Sequence, residues 1–244
     1  MPVRVTKRER SPCWAVIVAA GRGQRMGADR PKQYLSVLGR TIIEHTLDRV
    51  FQVSAIDGIV VTIAENDCCW QHLNLPAQKP LVTVTDSNGR CHSVLTALTY
   101  LRQHEGLPGD AQILVHDGVR PCVRVVEFES LIECTRVHPV GGLLVAPNDS
   151  SLQISRVLMR VPTSVEHDGS WHALTPQVFR LDILTTALQE YTYSKHEAVA
   201  IIQLGLSPLL LIGYPDNVKV TYPSDLELVE RYLLQQRGAQ SGSI

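Results

Sequence analysis

From Trp14 to Pro147 the chain keeps returning to one pattern: a short, wholly apolar run, a polar or glycine-bearing turn, and apolar residues at helical spacing. The runs "WAVIVAA", "IDGIVVTIA", "AQILVHDGVRP" and "VGGLLVAP" have strand length and are mostly apolar without alternation, as strands covered on both faces require, and "LVTVTD" is read with them as a further buried strand. Between them "TIIEHTLDRVFQ", "CHSVLTALTYLRQ" and "RVVEFESLIECTRV" place their apolar residues on one side of a helix. Such alternation predicts an α/β sandwich around a mostly parallel, Rossmann-like sheet.

Polar residues cluster where the strands stop: Gly21 to Lys32, Asp86 to Ser93, Asp117 to Arg120, and Asp149 onward. Open α/β sheets bind ligands beyond the carboxyl ends of their strands, so four such ends predict one shared site. From Ser150 to Trp171 polar and apolar residues alternate around His167-Asp168-Gly169, which predicts a β-excursion from the sheet. Helices are expected at "LDILTTALQEY" and "HEAVAIIQLG", a strand at "LLLIGY", and a last helix "SDLELVERYLLQQ" with Ser224 as its N-cap. The tail "RGAQSGSI" is expected to be disordered. Neither a repeat nor a linker interrupts the 244 residues, so one domain is expected over 1–244, with its ordered core at about 13–234.

Composition narrows the function classes. A net charge of -1 gives no reason to expect a polyanion-binding surface, so no nucleic-acid partner is expected and the basic "RVTKRER" reads as a solvated run. No apolar run reaches the roughly 18–20 residues of a membrane span. With no signal-like segment after the basic start, the expectation is a cytoplasmic protein with no membrane partner. The six cysteines form no C-x-x-C pair and read as buried or idle thiols.

The loop after the first strand is the most informative stretch. "AVIVAAGRGQRMGADRPKQYL" misses G-x-G-x-x-G by one residue and lacks the G-K-[ST] of a P-loop, which disfavours a dinucleotide-dependent oxidoreductase. Its Arg22, Arg25, Arg30 and Lys32 exceed what backbone amides and a helix dipole need to hold a pyrophosphate. They suit a nucleoside triphosphate under attack. In "VHDGVRP", Asp117 is placed either to ligate Mg²⁺ together with substrate phosphates or to serve as a turn residue. Arg120 either pairs with a phosphate or fixes Asp117 by a salt bridge. Lys219, between Asp216 and Asp225, reads on its own as an exposed lysine.

Taken in order, "AAGRGQRMGADRPKQYL", "SVLTAL", "VHDGVRP", "HALTPQVF" and "DNVKVTYPSDL" resemble the 2-C-methyl-D-erythritol 4-phosphate cytidylyltransferases of the non-mevalonate isoprenoid pathway, from about Trp14 to Leu234. The first motif is common to nucleotidyltransferases; "HALTPQ" and "DNVKVT" narrow the match to this family and its ribitol-phosphate relatives. The resemblance implies a nucleotidyltransferase sandwich that transfers CMP from CTP to a polyol phosphate and releases pyrophosphate, with Mg²⁺ or another divalent cation. It places Ala19, Ala20, Gly21, Gly23, Asn88 and Ser93 by CTP, and Arg25 and Lys32 on its phosphates and on the transition state. It puts Asp117 near metal and acceptor, adds Ser150, His167, Thr175 and Lys219 to the acceptor side, and makes about 149–171 a protruding β-arm through which a homodimer forms.

The chain departs from the family pattern mainly on the acceptor side. His167 stands where an arm arginine is usual, Lys195-His196-Glu197 replaces Thr-Asp-Glu, and Ser150 replaces threonine. On the nucleotide side, Ser87 and Asn88 stand where glycine and a small or acidic residue are common. Loss of a bidentate arginine weakens a phosphate contact by about 1–3 kcal/mol. Lower activity on the same acceptor, another polyol phosphate such as ribitol 5-phosphate, and a non-catalytic nucleotide-binding paralogue are the readings these changes leave open.

Overall fold

In the computed structural model the described residues are 10–76, 78–86, 88–147, 171–194 and 196–241. The chain runs β1 (Cys13–Val18), a small hairpin of β2 (Ser36–Val37) and β3 (Arg40–Thr41), α1 (Ile42–Gln52), β4 (Gly58–Ile63), β5 (Leu81–Thr85), α2 (Arg90–His104), β6 (Gln112–Asp117), α3 (Val125–Thr135), β7 (Gly141–Pro147), β8 (Trp171–Arg180), α4 (Leu181–Glu190), α5 (Glu197–Gln203), β9 (Leu209–Ile212) and α6 (Ser224–Ser241). Seven strands make one sheet in the order β5-β4-β1-β6-β8-β7-β9. All neighbouring pairs are parallel except those of β8, which runs antiparallel to both β6 and β7.

The unbroken apolar runs of β1, β4 and β6 follow from their place in the middle of the sheet, with helices on both faces. Val16, Val60, Ile113 and Phe179 face α2, α4 and α5 and pack with Val94, Leu98, Leu184 and Ile201. On the opposite face Ile17, Ile59, Val61 and Leu114 meet Ile43 and Leu47 of α1 and Phe128 and Leu131 of α3. Alternate residues of one strand thus feed two separate cores. A third, smaller cluster joins Met26, Val37, Val119, Cys122 and Val220 to Val229 and Leu233 of α6. Met26 lies in the loop after β1, Val119 in the turn after β6, and Val220 next to Lys219.

Three features differ from the sequence reading. "HALTPQVF", which gave no strand signal, is part of β8. Its Pro176 cannot donate to a ladder, and the pairing accommodates it. The β6–β8 ladder ends at Val115 opposite Gln177, and the β7–β8 register shifts between Leu143/Gln177 and Val145/Ala173. Ser224 is the first residue of α6 rather than its cap; instead the Asp225 carboxylate accepts the backbone N–H groups of Thr221 and Tyr222 at 2.7 and 2.8 Å. The helix also runs on to Ser241, into the segment expected as a disordered tail.

All six cysteines are free; Cys13, Cys91 and Cys122 are buried, and burial pushes each of these three thiols up to about 12. The expected arm, about 149–171, lies outside the described residues apart from Trp171, where β8 begins.

Candidate active site

Because β1, β4 and β6 are parallel, their carboxyl ends open on the same edge of the sheet. The chain leaving β1 is held extended for one more residue, with Ala19 N–H donating to Thr62 O at 2.9 Å. The buried Gln33 then donates through Nε2 to Ala19 O at 2.6 Å, so the end of the loop is tied to its beginning. Between these points the loop makes two single-turn 3-10 segments, Gln24–Met26 and Lys32–Tyr34. Gly23 has φ +68°, and a Cβ there would lie 2.8 Å from Lys32 Cγ. Glycine therefore serves both the left-handed turn and the close passage of the lysine chain.

A cavity of about 410 Å³ lies over the strand ends, lined by Ala19, Ala20, Gly21, Lys32, Gly89, Arg90, Ser93, Asp117 and Lys219 among others. A second hollow of about 350 Å³ shares Gly21, Lys32 and Lys219 with it and adds Gly23, Arg25 and Thr221. The expected nucleotide loop, Asp117 and Lys219 are therefore brought together. Lys32 Nζ donates to Val220 O at 2.7 Å. Burial, reinforced by Lys219 and Arg25 and opposed by Asp117, lowers its pKa to about 8. Arg25 lies with its guanidinium 5.5 Å from the centroid of the Tyr222 ring.

Asp117 is the centre of the arrangement. Arg90 Nη1 donates to its Oδ1, while Arg120 Nε (3.0 Å) and Lys219 Nζ (3.1 Å) meet its Oδ2. Burial alone would raise the pKa of this carboxyl, but Arg90, Lys219 and Arg120 hold it well below the usual carboxylate range. The question left open for Arg120 is answered by its geometry: it fixes Asp117, and its Nη1 donates to Asn217 O at 2.8 Å. His116, fully buried beside it, is pushed down to about 3 by burial and stays neutral at pH 7.

Thr175 and Asn217 join the motifs from below. Thr175 Oγ1 accepts the Asp117 N–H at 3.2 Å, and Asn217 Nδ2 donates to Thr175 O at 2.8 Å. Thr175 is buried and does not line the cavity, so its hydroxyl supports Asp117 rather than facing the hollow. On the α2 side Ser93 Oγ donates to Asp86 Oδ2 at 2.7 Å and lies 3.0 Å from Gly89 O. Asn88 is turned the same way, donating its N–H and its Nδ2 to the Asp86 carboxylate at 3.3 and 3.2 Å. Ser150 and His167 lie outside the described residues.

Two site residues escaped the sequence reading. Asp86 organises the β5–α2 turn, with His92 Nδ1 at 2.6 Å from its Oδ1 in addition to Ser93 and Asn88. Arg90 lines the cavity and bridges Asp117 to Glu197. A signal for it was present: Arg90 is the first residue of α2, the helix end where the dipole disfavours a cation. An arginine there needs anions close by.

Among the described residues no group of three His, Cys, Asp or Glu side chains is arranged to hold a metal. Asp117 is the one carboxylate among the residues that line the main cavity. Mg²⁺ takes one or two protein carboxylates and completes its shell with substrate phosphates and water, but both Asp117 oxygens already meet Arg90, Arg120 and Lys219, so among the described residues no free carboxylate faces this cavity.

Comparison with known proteins gives the family and the fold. The family model described as 2-C-methyl-D-erythritol 4-phosphate cytidylyltransferase matches residues 13–235. A protein of that name from Pseudomonas entomophila is 42% identical over 218 residues, covering 88% of this chain and 92% of its own. One from Vibrio vulnificus is 38% identical over 228 residues, covering 91% and 95%. A crystal structure of 4-diphosphocytidyl-2C-methyl-D-erythritol synthase superposes with a TM-score of 0.77 at 28% identity, covering 92% of this chain and all of that one. With the family's motifs gathered around one cavity at the strand ends, this chain belongs to the 2-C-methyl-D-erythritol 4-phosphate cytidylyltransferase family.

Proposed function

We propose that the protein transfers CMP from CTP to 2-C-methyl-D-erythritol 4-phosphate and releases pyrophosphate, with the cavity between the first loop, α2 and Lys219 as the CTP site. The observation that carries this reading is the gathering of Lys32, Arg90 and Lys219 around one hollow at the strand ends. An acceptor phosphate oxygen attacks the α-phosphorus of CTP, a new P–O bond forms, and the bond to the pyrophosphate oxygen breaks. The acceptor brings its own nucleophile, so the protein has to align the two phosphates and neutralise the charge that builds up between them.

In this reading Ala19 to Gly21 offer backbone to the nucleotide, and Gly23 keeps the loop open for Lys32. Lys32 and Arg25 meet the triphosphate and the pentacoordinate transition state, Lys219 holds the acceptor phosphate against it, and Asp117 keeps Lys219 in place. Mg²⁺ would be held mainly by substrate oxygens near Asp117, whose own carboxylate oxygens face Arg90, Arg120 and Lys219, and when bound it would supply further charge neutralisation. Asn88 and Ser93 shape the wall on the α2 side through Asp86. The 149–171 arm is assigned to homodimer contact, with Ser150 and His167 on the acceptor side. Among the described residues no helix is long and apolar enough to cross a membrane, in keeping with work in the cytoplasm.

The test is pyrophosphate release with CTP and Mg²⁺, with methylerythritol phosphate and ribitol 5-phosphate run in parallel and Lys32→Ala as control. Turnover on methylerythritol phosphate that is lost in the control is the expected result. Turnover on ribitol phosphate alone would assign the acceptor-side departures, His167 first among them, to a change of substrate. CTP binding without turnover on either acceptor would overturn the enzymatic reading.

A further inference from the structure

Glu197 is a buried ionisable group that the reaction just described does not use. It is fully buried at the first turn of α5, far along the chain from the three strand-end loops. Its Oε2 accepts from Arg90 Nε at 3.3 Å and Nη2 at 3.1 Å. Among the described residues its Oε1 is buried without a hydrogen-bond partner. A buried carboxylate with one empty oxygen is a costly thing to keep unless its charge has a task.

The planar fork of Arg90 defines that task. One edge, Nε and Nη2, is taken by Glu197, which leaves Nη1 directed at Asp117 Oδ1. Asp117 in turn presents Oδ2 to Lys219, the member of the chain that reaches into the hollow with a third of its side chain exposed. We infer that Glu197 is a positioning residue for phosphoryl transfer: through Arg90 it fixes the Asp117 carboxylate, and with it the Lys219 ammonium, against the acceptor phosphate. The inference rests on the reading that Asp117 and Lys219 serve the reaction. Without the Glu197 charge the Arg90 fork is free on one edge and can turn into the CTP cavity that it already lines. Nucleotide binding then survives while alignment of the acceptor is lost.

The test compares Glu197→Gln, Arg90→Lys and the double variant in the full-length protein, measuring kcat, the CTP dissociation constant by titration, and the melting temperature. Glu197→Gln is expected to lower kcat about tenfold or more while CTP affinity stays within about twofold, since the loss is one of alignment. Arg90→Lys keeps the charge, breaks the fork and should lower kcat similarly; the double variant should be no slower than the slower single one, as for residues acting as a unit. Wild-type kcat in Glu197→Gln, a fall in CTP affinity that matches the fall in kcat, or additive losses in the double variant would each overturn the inference. So would a lower melting temperature with kcat and CTP affinity unchanged. Should Glu197→Gln not fold, Arg90→Lys decides alone: kcat at the wild-type level sinks the proposal. Lys219→Ala separates the two layers, because full turnover in that variant would refute the role of Lys219 itself.

Discussion

Lys32 is half-buried between two other cations, and burial is the largest of the influences that bring its pKa to about 8, with Lys219 and Arg25 acting in the same direction. In the free protein its charge is therefore being lost just above neutral pH. If Lys32 meets the triphosphate as a cation, kcat/KM for CTP should fall on an alkaline limb with a midpoint near 8, because that ratio reports groups in the free enzyme. Lys32→Arg should carry the limb upward by more than a unit, since a guanidinium keeps its proton. A limb that stays in place in Lys32→Arg would reassign it to another group. Unfolding is a separate matter with the opposite sign. The folded pKa of Lys32 lies below its ordinary value of 10.5, so between about 8 and 10.5 the unfolded chain binds more protons, and the Lys32 contribution to stability rises with pH.

Asp117 has the reverse linkage. Its folded pKa is depressed, so the stability it contributes is present above the ordinary carboxylate range and is lost as pH falls through the depressed value. Asp117→Asn would leave Arg90 and the buried Arg120 without their shared anion. Breaking a buried pair on one side costs about 3–5 kcal/mol, which should show as a lower denaturant midpoint at pH 7. The deficit of the variant should shrink as pH is taken below the point where the wild-type carboxyl protonates. A constant deficit across pH would mean that packing, not charge, sets it.

The elements place these residues by small, local means. The loop after β1 is closed by Gln33 on Ala19 O and by Lys32 on Val220 O, and it turns at Gly23. Gly23→Ala should therefore do more than cost the roughly 1–2 kcal/mol of a left-handed alanine. Its methyl would displace the Lys32 chain, so CTP affinity should fall by about tenfold or more, the order of one charge-assisted hydrogen bond. Titration of CTP beside a thermal melt separates the two effects, and an affinity loss no larger than the stability loss would count against the close passage.

At this scale it is also clear what the sequence could carry. Strands buried on both faces are written as unbroken apolar runs, so β1, β4, β6 and β7 were legible, as were the glycine loop and Asp117 at their ends. β8 was hidden because Pro176 stands where its ladders break, and a proline in a short run argues against a strand. Arg90 and Asp86 were hidden for another reason. The partners of Arg90, Glu197 and Asp117, are matched by tertiary placement that one-dimensional spacing does not record, whereas His92 and Ser93 lie six and seven residues from Asp86, and it was the turn geometry rather than the distance along the chain that the sequence did not show. Thr175 was legible as a motif residue, yet its position beneath Asp117 came from the fold.

Across the whole molecule the two large cores hold the sheet, and the third cluster holds the site. Met26 brings in the loop of Arg25 and Lys32, Val119 the turn after Asp117, and Val220 the segment of Lys219; all three share one buried cluster with Val229 and Leu233 of α6. Leu233 is nearly fully buried there. Leu101 is equally buried, but it lies in the core over α2, about 16 Å along that helix from Arg90. Truncating either to alanine should cost about 2–5 kcal/mol of stability. Their effects on catalysis should differ. Under conditions where both variants remain folded, Leu233→Ala should lower kcat/KM for CTP severalfold, because the cavity it leaves lets the three cation-bearing segments shift apart. Leu101→Ala should leave the ratio within about twofold, as sites without shared partners do not couple. Equal kinetic losses in the two would mean that α6 stabilises the fold without aligning the site. An unequal pair would locate the origin of alignment in the small core between the loops and the last helix, some way from any residue that touches substrate.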